Sequence, residues 1–143
     1  MSKRKICFIL VGVAGLLFLG ASLFKLSAAK SHAESINCAS SITSICLAAR
    51  LWAEDNGGIM ATNFICMSNE ICTPKILSCV ASRRSRTEDW STFTTNNCTY
   101  EIVSPGMQVD DTNTVFLRCT IHGHLGYSDG TVFDGVRRRT KFQ

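Results

Sequence analysis

The most constraining feature of this sequence is an uninterrupted apolar run from Ile6 to Phe24, which contains no charged side chain. At about 1.5 Å of rise per residue, a helix over this run would be about 28 Å long, close to the thickness of a bilayer's hydrocarbon core. Lipid offers no hydrogen-bond partner to an open backbone group, so a helix is the conformation compatible with a membrane. The sequence therefore predicts a single transmembrane helix in this segment.

The charges beside the apolar run predict its orientation. Lys3-Arg4-Lys5 precedes the run and no comparable cluster follows it directly, which places the N-terminus in the cytoplasm. We expect a single-pass membrane protein whose C-terminal domain lies outside the cytoplasm. The alternative is a cleaved secretory signal, because Ser27-Ala28-Ala29 and Ser31-His32-Ala33 resemble small-residue cleavage sites. The length of the run favours the anchor, and both interpretations place residues beyond about 30 outside the cytoplasm.

The segment from Lys25 to Asn56 contains neither Gly nor Pro and repeats apolar residues at spacings of three and four. This pattern indicates an amphipathic helix with one apolar stripe. Gly57-Gly58 then supplies the positive φ that ends a helix. We therefore expect one long helix from about residue 6 to 56. Its second half packs on the rest of the chain through Leu26, Ala29, Ala33, Ile36, Ile42, Ile45, Ala49 and Trp52.

The residues after Gly58 have the pattern of short strands separated by turns. Strands are predicted at Thr99–Val103, at Thr114–Cys119 and at Gly130–Phe133, each next to a turn signal. Lys75–Cys79 is predicted as a short strand or extended edge. A short helix is expected near residues 67–71 and a loop over 82–97. A helix followed by a small antiparallel sheet is an α+β fold.

Four regions follow from these patterns. Residues 1–29 are the cytoplasmic basic end and the transmembrane half of the helix, and residues 30–57 are its amphipathic half. Residues 58–134 form a small antiparallel-sheet globular domain, and residues 135–143 form a basic flexible tail. Cations are concentrated at the two ends of the chain, so there is no basic stripe interleaved with aromatic residues, and we expect no nucleic-acid partner.

The order of several short motifs resembles the type IV pilin and type II secretion pseudopilin architecture. The resemblance is to the major-pseudopilin-like proteins of Verrucomicrobia and Planctomycetes, and it covers about residues 25 to 133. It implies a pilin-like fold and a structural subunit whose partners are the lipid bilayer and other pilin or pseudopilin subunits. It also implies that the membrane is the inner membrane and that the C-terminal domain is periplasmic. The matching segments are Leu26–Lys30, Ile36–Cys38, Ile45–Gly58, Lys75–Cys79, Ser104–Gly106 and Cys119–Val132.

The start of the chain departs from that family. The family's peptidase site is a Gly followed by Phe-Thr-Leu-Ile-Glu, whereas Lys5-Ile6-Cys7-Phe8 has no such Gly and the apolar run has no Glu. In the family this Glu neutralises a neighbour's terminal amine within the membrane, where an ionisable group is costly unless it is paired. The departure implies either a membrane-resident relative that does not polymerise or a minor component of a filament.

The cysteine count leaves the pairing of the thiols open. The chain has eight cysteines, and all except Cys7 fall in the predicted periplasmic part, where disulfides form. An odd number leaves at least one thiol unpaired or paired between chains. Cys38 and Cys46 are separated by about 12 Å of helix rise and cannot bond to each other. The resemblance implies a disulfide between Cys38 and Cys79, with Cys119 as a further candidate, and the alternative is buried, reduced thiols.

The residue types in this chain allow two alternative metal sites, one for zinc and one for calcium. Cys119, His122 and His124 offer zinc ligands to which Cys66, Cys72 or Cys79 could add, although the family resemblance makes His122-Gly123 part of a turn. Oxygen ligands for calcium, which pseudopilins often bind in a C-terminal loop, are the alternative. These are Asp110, Asp111, Asn113 and Asp129, which are equally explained as solvated turn residues.

The sequence favours a structural role over catalysis. It contains no serine elbow, no Gly-rich phosphate loop and no cysteine beside an evident base, so we expect neither an enzyme nor a small-molecule substrate. The leading hypothesis is a structural pseudopilin-like subunit of a type II secretion or type IV pilus-like assembly. The alternatives are a membrane-tethered or secreted cysteine-rich binding module and a secreted metal- or redox-active domain.

Overall fold

The computed structural model describes the backbone of residues 3–135 and 138–139 and the side chains of residues 25–135. The chain divides into two compact units, residues 1–33 and residues 34–143. The described side chains do not include those of the predicted transmembrane run at residues 6–24. They also do not include those of the basic tail after residue 135. Within the described part, no helical stretch combines the length and hydropathy that a membrane crossing requires.

The first element is helix α1, Lys3–Asp55, and its C-terminal end follows the predicted stop signal. The backbone N–H groups of Asn56 and Gly58 both donate to the carbonyl of Ala53, at 3.0 and 2.8 Å. Gly57 and Gly58 have φ values of 71° and 79°, which only glycine adopts without a steric cost. The prediction that these two glycines end the helix is confirmed.

The chain then forms an antiparallel meander with strand order β1-β2-β3-β4-β5. Tyr100 pairs with Cys119 at one end of the β1–β2 ladder. A β-bulge interrupts the β2–β3 pairing between Val115 and Leu117. The strands are β1 Tyr100–Ile102, β2 Val115–Cys119, β3 Leu125–Tyr127, β4 Val132–Phe133 and β5 Arg138–Arg139.

The α+β prediction is confirmed, since one helix packs on a small antiparallel sheet, but some local predictions are wrong. Pro74–Leu77 is a 3-10 helix instead of a strand, because Pro74 presets the helical φ and the Thr73 hydroxyl accepts a hydrogen bond from the Lys75 N–H. Residues 67–71 form turns. The predicted loop over 82–97 contains two short 3-10 helices, Trp90–Thr92 and Thr95–Asn97.

The core of the second unit lies between α1 and the sheet. Ile42, Ile45 and Ala49, three members of the predicted stripe, are fully buried, and the half-buried Trp52 packs against the same core. Gly126 in the middle of β3 marks the closest approach, because a Cβ added there would lie 2.4 Å from Cγ2 of Ile42. The helix therefore rests directly on the backbone of β3.

The first half of the predicted stripe is not buried. Leu26 is 69% exposed and Ile36 is 38% exposed, and Ala29 and Ala33 are also exposed. These four members of the predicted stripe are not part of the buried core of the second unit. Ile36 lies six residues before Ile42, a rotation of about 240° around the helix axis, so it faces away from the buried side chains.

Candidate metal centre

Three thiols and one imidazole converge at the edge of the core. The ligand atoms of Cys38, Cys79, Cys119 and His122 all lie within 4.8 Å of one another. The three cysteine side chains are fully buried, whereas His122 is half-buried. The Nδ1 atom of His122 is 3.3 Å from the sulfur of Cys79.

Local hydrogen bonds bring Cys79 and Cys119 together. Cys119 ends β2 and pairs with Tyr100 across the ladder. The neighbouring Thr99 donates its N–H to the carbonyl of Leu77 at 3.0 Å, and its hydroxyl accepts the N–H of Cys79 at 2.7 Å. The segment after the 3-10 helix is thereby fastened to the start of β1, beside the end of β2. Cys38 reaches the same place from α1, where it lies one turn before the buried Ile42.

A tight turn places His122 next to Cys119. The N–H of Gly123 donates to the carbonyl of Cys119 at 2.9 Å, and the N–H of Cys119 donates to the carbonyl of His124 at 2.9 Å. Gly123 adopts a φ of 70°, which favours glycine at this position. The N–H of His122 also points at the sulfur of Cys119, at 3.4 Å. His122 can therefore belong to the predicted turn and also be a metal ligand.

His124, a predicted zinc ligand, does not belong to the converging group. It is buried, and its Nε2 atom is 3.2 Å from the hydroxyl of Ser35 on α1. Its ring stacks on that of His122 with the centroids 5.2 Å apart. The ligand atoms that converge do not include those of His124, so its placement as a ligand is corrected to a position beside the site.

The pKa values of the three buried thiols depart from the ordinary pKa of a cysteine. The hydrogen bond from the Cys38 thiol, together with the backbone N–H groups of His122 and Ile121, lowers the pKa of Cys119. The same hydrogen bond and then burial raise the pKa of Cys38, while burial raises the pKa of Cys79. The arrangement therefore favours one thiolate, at Cys119, stabilised by a neighbouring thiol.

Burial limits the chemistry of this group. A nucleophilic cysteine has to be reachable by its substrate, and the thiols of Cys38, Cys79 and Cys119 have no exposed surface. The cysteines with described side chains are free thiols, and the disulfide between Cys38 and Cys79 stays a prediction. Metal ligation is the other chemistry open to such a group. In a tetrahedral zinc site with Zn–S distances of about 2.3 Å, the sulfur atoms lie about 3.8 Å apart. The observed limit of 4.8 Å is close to that spacing.

The remaining predicted ligands lie elsewhere. The thiol of Cys66 donates to the carbonyl of Asn63 at 2.9 Å, and Cys72 is exposed. Within residues 25–135, the thiol–imidazole group is the one place where three or more His, Cys, Asp or Glu side chains approach closely enough to hold an ion. No ligand set for calcium of that kind forms from Asp110, Asp111 and Asp129.

Two of the predicted calcium ligands, Asp111 and Asp129, accept hydrogen bonds within turns. Asp111 accepts a hydrogen bond from the Thr114 hydroxyl at 2.6 Å. Asp129 accepts one from the backbone N–H of Thr131 at 2.9 Å. The two residues that complete the predicted set, Asp110 and Asn113, are exposed in the connection between β1 and β2.

Sequence reasoning missed Cys38 as a metal ligand. Cys38 precedes Ile42 by four residues, so the spacing of the apolar stripe already places it on the buried face of α1. Cys79 was considered as an added ligand and does join the group. Their convergence depends on tertiary structure, because Cys38 and His122 are separated by most of the described chain.

No known protein family, curated protein or solved structure matches this chain.

Proposed function

We propose that this chain is a structural, pseudopilin-like subunit anchored in the inner membrane by residues 6–24, with a cytoplasmic N-terminus and a periplasmic sheet domain. The observation that carries the proposal is the extent of α1, Lys3–Asp55. One helix includes both the apolar run and the face that packs beneath the sheet. The pilin-like architecture has this arrangement, in which one helix carries a membrane anchor and also a face that packs on the sheet.

The surface of α1 opposite the sheet supports a packing role. Ile36 and Leu51 are 38% and 57% exposed, and at about 100° per residue they lie about 60° apart around the helix axis. The buried Ile42, Ile45 and Ala49 lie about 180–240° from Ile36 on the same count. Exposed apolar side chains on this surface are suited to contact with a helix of another subunit.

The missing intramembrane Glu shapes the proposed mode of assembly. Without it, no carboxylate in the apolar run can pair with a neighbour's terminal amine. Association would then rest on side-by-side packing of apolar helices, which lipid allows when the helices fit closely. This suits a subunit that joins an assembly as a minor component. Its partners are the bilayer and other pilin-like subunits, and its role is structural, with no catalytic step.

Photo-crosslinking in cells tests this proposal. A benzoylphenylalanine placed at Leu51, or separately at Ile36, is expected to give crosslinked species containing a second copy or another subunit with an N-terminal apolar helix. The same probe at Arg83, exposed in the loop before β1, is the matched control and should crosslink much less. Peptide mass spectrometry identifies the partner. Equal crosslinking from Arg83 and Leu51, or no crosslink from either helix position, would contradict the proposal.

The location of the chain is tested on the same cells. We expect the intact chain, including residues 6–24, in the membrane fraction. A chain recovered from the soluble periplasm with a new N-terminus near Ala29 would support the secreted binding module instead.

A further inference from the structure

The converging thiol–imidazole group draws its members from four separate parts of the second unit. Cys38 lies on α1, Cys79 follows the 3-10 helix Pro74–Leu77, Cys119 ends β2, and His122 is in the turn that follows. Their ligand atoms nevertheless share a space in which none is more than 4.8 Å from another. A single ion at this place would connect helix, loop and sheet.

We propose that Cys38, Cys79, Cys119 and His122 form a structural zinc site that fastens α1 to the sheet. Three thiolates and one imidazole are a recognised donor set for structural zinc, and soft sulfur ligands select zinc over calcium or magnesium. Four protein ligands leave no coordination position for a substrate. The complete burial of the three cysteines agrees with a closed structural site. This inference is independent of the proposed function, because it concerns the isolated chain.

The surroundings of the ligands fit a metal–thiolate centre. The hydroxyl of Tyr100 is 3.6 Å from the sulfur of Cys38, and the N–H of His122 is 3.4 Å from the sulfur of Cys119. Donors aimed at the sulfur atoms stabilise the negative charge that thiolates keep when they bind zinc. The His122 ring is held by stacking on His124, which in turn contacts Ser35 on α1.

The same thiols could form a disulfide instead. Disulfide formation and zinc binding differ in the protons and electrons that the chain loses. Joining two of the three sulfur atoms removes two protons and two electrons, and an oxidant has to take up the electrons. The third thiol and His122 are then left without a partner in the bond. Zinc binding uses all four donors, involves no oxidation and releases the thiol protons to solvent as the thiolates form. The two outcomes therefore differ in the mass of the chain.

Intact mass spectrometry of the full chain, purified in detergent, separates these outcomes. Under native conditions we expect the mass of the chain plus one zinc ion, and after acid denaturation the mass of the fully reduced chain. A metal-free chain that is lighter by two hydrogens, with a linked peptide pair containing Cys38 and Cys79, would overturn the proposal.

Variants of the full chain test which residues bind the ion. Reduced protein in detergent is titrated with Zn²⁺ against a chromophoric chelator. Removing a group that only hydrogen-bonds to a metal ligand already lowers metal affinity by about 10–100-fold. Removal of a ligand itself, in Cys79→Ser or His122→Ala, is therefore expected to weaken zinc binding at least about 100-fold. The matched controls are Cys72→Ser and His32→Ala, both exposed and outside the group. The controls should bind zinc as the parent chain does.

A conservative replacement keeps the test decisive if the serine variant fails to fold. His122→Cys retains four donors and should keep tight binding, while the visible spectrum of its Co²⁺ form changes to that of a four-thiolate site. Zinc binding by His122→Ala equal to that of the parent chain, or an equal loss in Cys72→Ser, would refute the assignment.

Discussion

The contact between α1 and β3 makes a specific prediction for Gly126→Ala. The added Cβ would lie 2.4 Å from Cγ2 of Ile42 and 2.7 Å from the sulfur of Cys46. Favourable separations between such atoms are about 3.5–4.0 Å, so the helix and the strand have to move apart by about 1 Å. Both neighbours are completely buried, so neither side chain can turn out into solvent.

The expected cost follows from two opposing effects. Overpacking a filled core costs about 1–3 kcal/mol. Replacing glycine by alanine also restricts the unfolded chain, which returns about 0.4–1 kcal/mol. We expect a net loss of about 1–2 kcal/mol of unfolding free energy. For a domain of about 100 residues this lowers the midpoint of thermal unfolding by about 5–15 °C.

The assay is thermal unfolding of the full chain in detergent, followed by tryptophan fluorescence. The chain has two tryptophans, Trp52 and Trp90, and both are half-buried against the core of the second unit. A double-mutant cycle with Ile42→Ala tests the cause, because removing Cγ2 relieves the clash. We expect the double variant to lose less stability than the sum of the two single losses.

Gly57→Ala is the matched control for this cycle. A Cβ at Gly57 would meet nothing within 4 Å, and its φ of 71° alone makes alanine unfavourable. Its cost should therefore be additive with that of Ile42→Ala. Unchanged or higher stability in Gly126→Ala, or strict additivity with Ile42→Ala, would refute the close packing of helix and strand.

Two further substitutions are predicted to have smaller effects. Arg118→Ala removes an ion pair with Glu101 in which both side chains are about half exposed. The free energy of unfolding, measured by urea titration, should therefore change by less than about 1 kcal/mol. A larger loss would show that the pair is shielded from solvent. Trp90→Phe removes the indole N–H that donates to the carbonyl of Ile71 at 3.1 Å and should cost about 1 kcal/mol. A neutral result for Trp90→Phe would mean that this carbonyl finds another donor.

Local patterns were sufficient for much of the fold. The spacing of Ile42, Ile45 and Ala49 indicated a buried helix face, and Gly57-Gly58 marked its end. These signals act within a few residues of the chain, so they can be read without knowledge of tertiary contacts. The predicted stripe spans two faces of the helix, because the step of six residues from Ile36 to Ile42 turns the helix by about 240°.

Strand β3 was missed for a physical reason. Leu125-Gly126-Tyr127 is only three residues long, and a central glycine disfavours a strand by intrinsic preference. The glycine is required because the helix packs directly on that backbone. A requirement of this kind is set by the tertiary contact and leaves no pattern in the sequence around it.

The candidate site was found only in part. Cys119 and His122 are close in sequence and were predicted to lie in one site, whereas Cys38 and Cys79 joined them through the packing of α1 and through hydrogen bonds to Thr99. His124 was assigned to the site because of its spacing, but the turn directs it to Ser35. Ligand identity in such a group depends on side-chain direction, which spacing in an irregular turn does not determine.

The covering of α1 by the sheet is tested most directly by the rates at which the native thiols are alkylated. Cys72 is exposed, whereas Cys46 is completely buried beneath Gly126, and burial raises its thiol pKa. In the folded full chain, mass spectrometry should show rapid modification of Cys72 and modification of Cys46 only as fast as the domain unfolds. Modification of Cys46 at the rate of Cys72 under native conditions would show that the sheet does not cover this face of the helix.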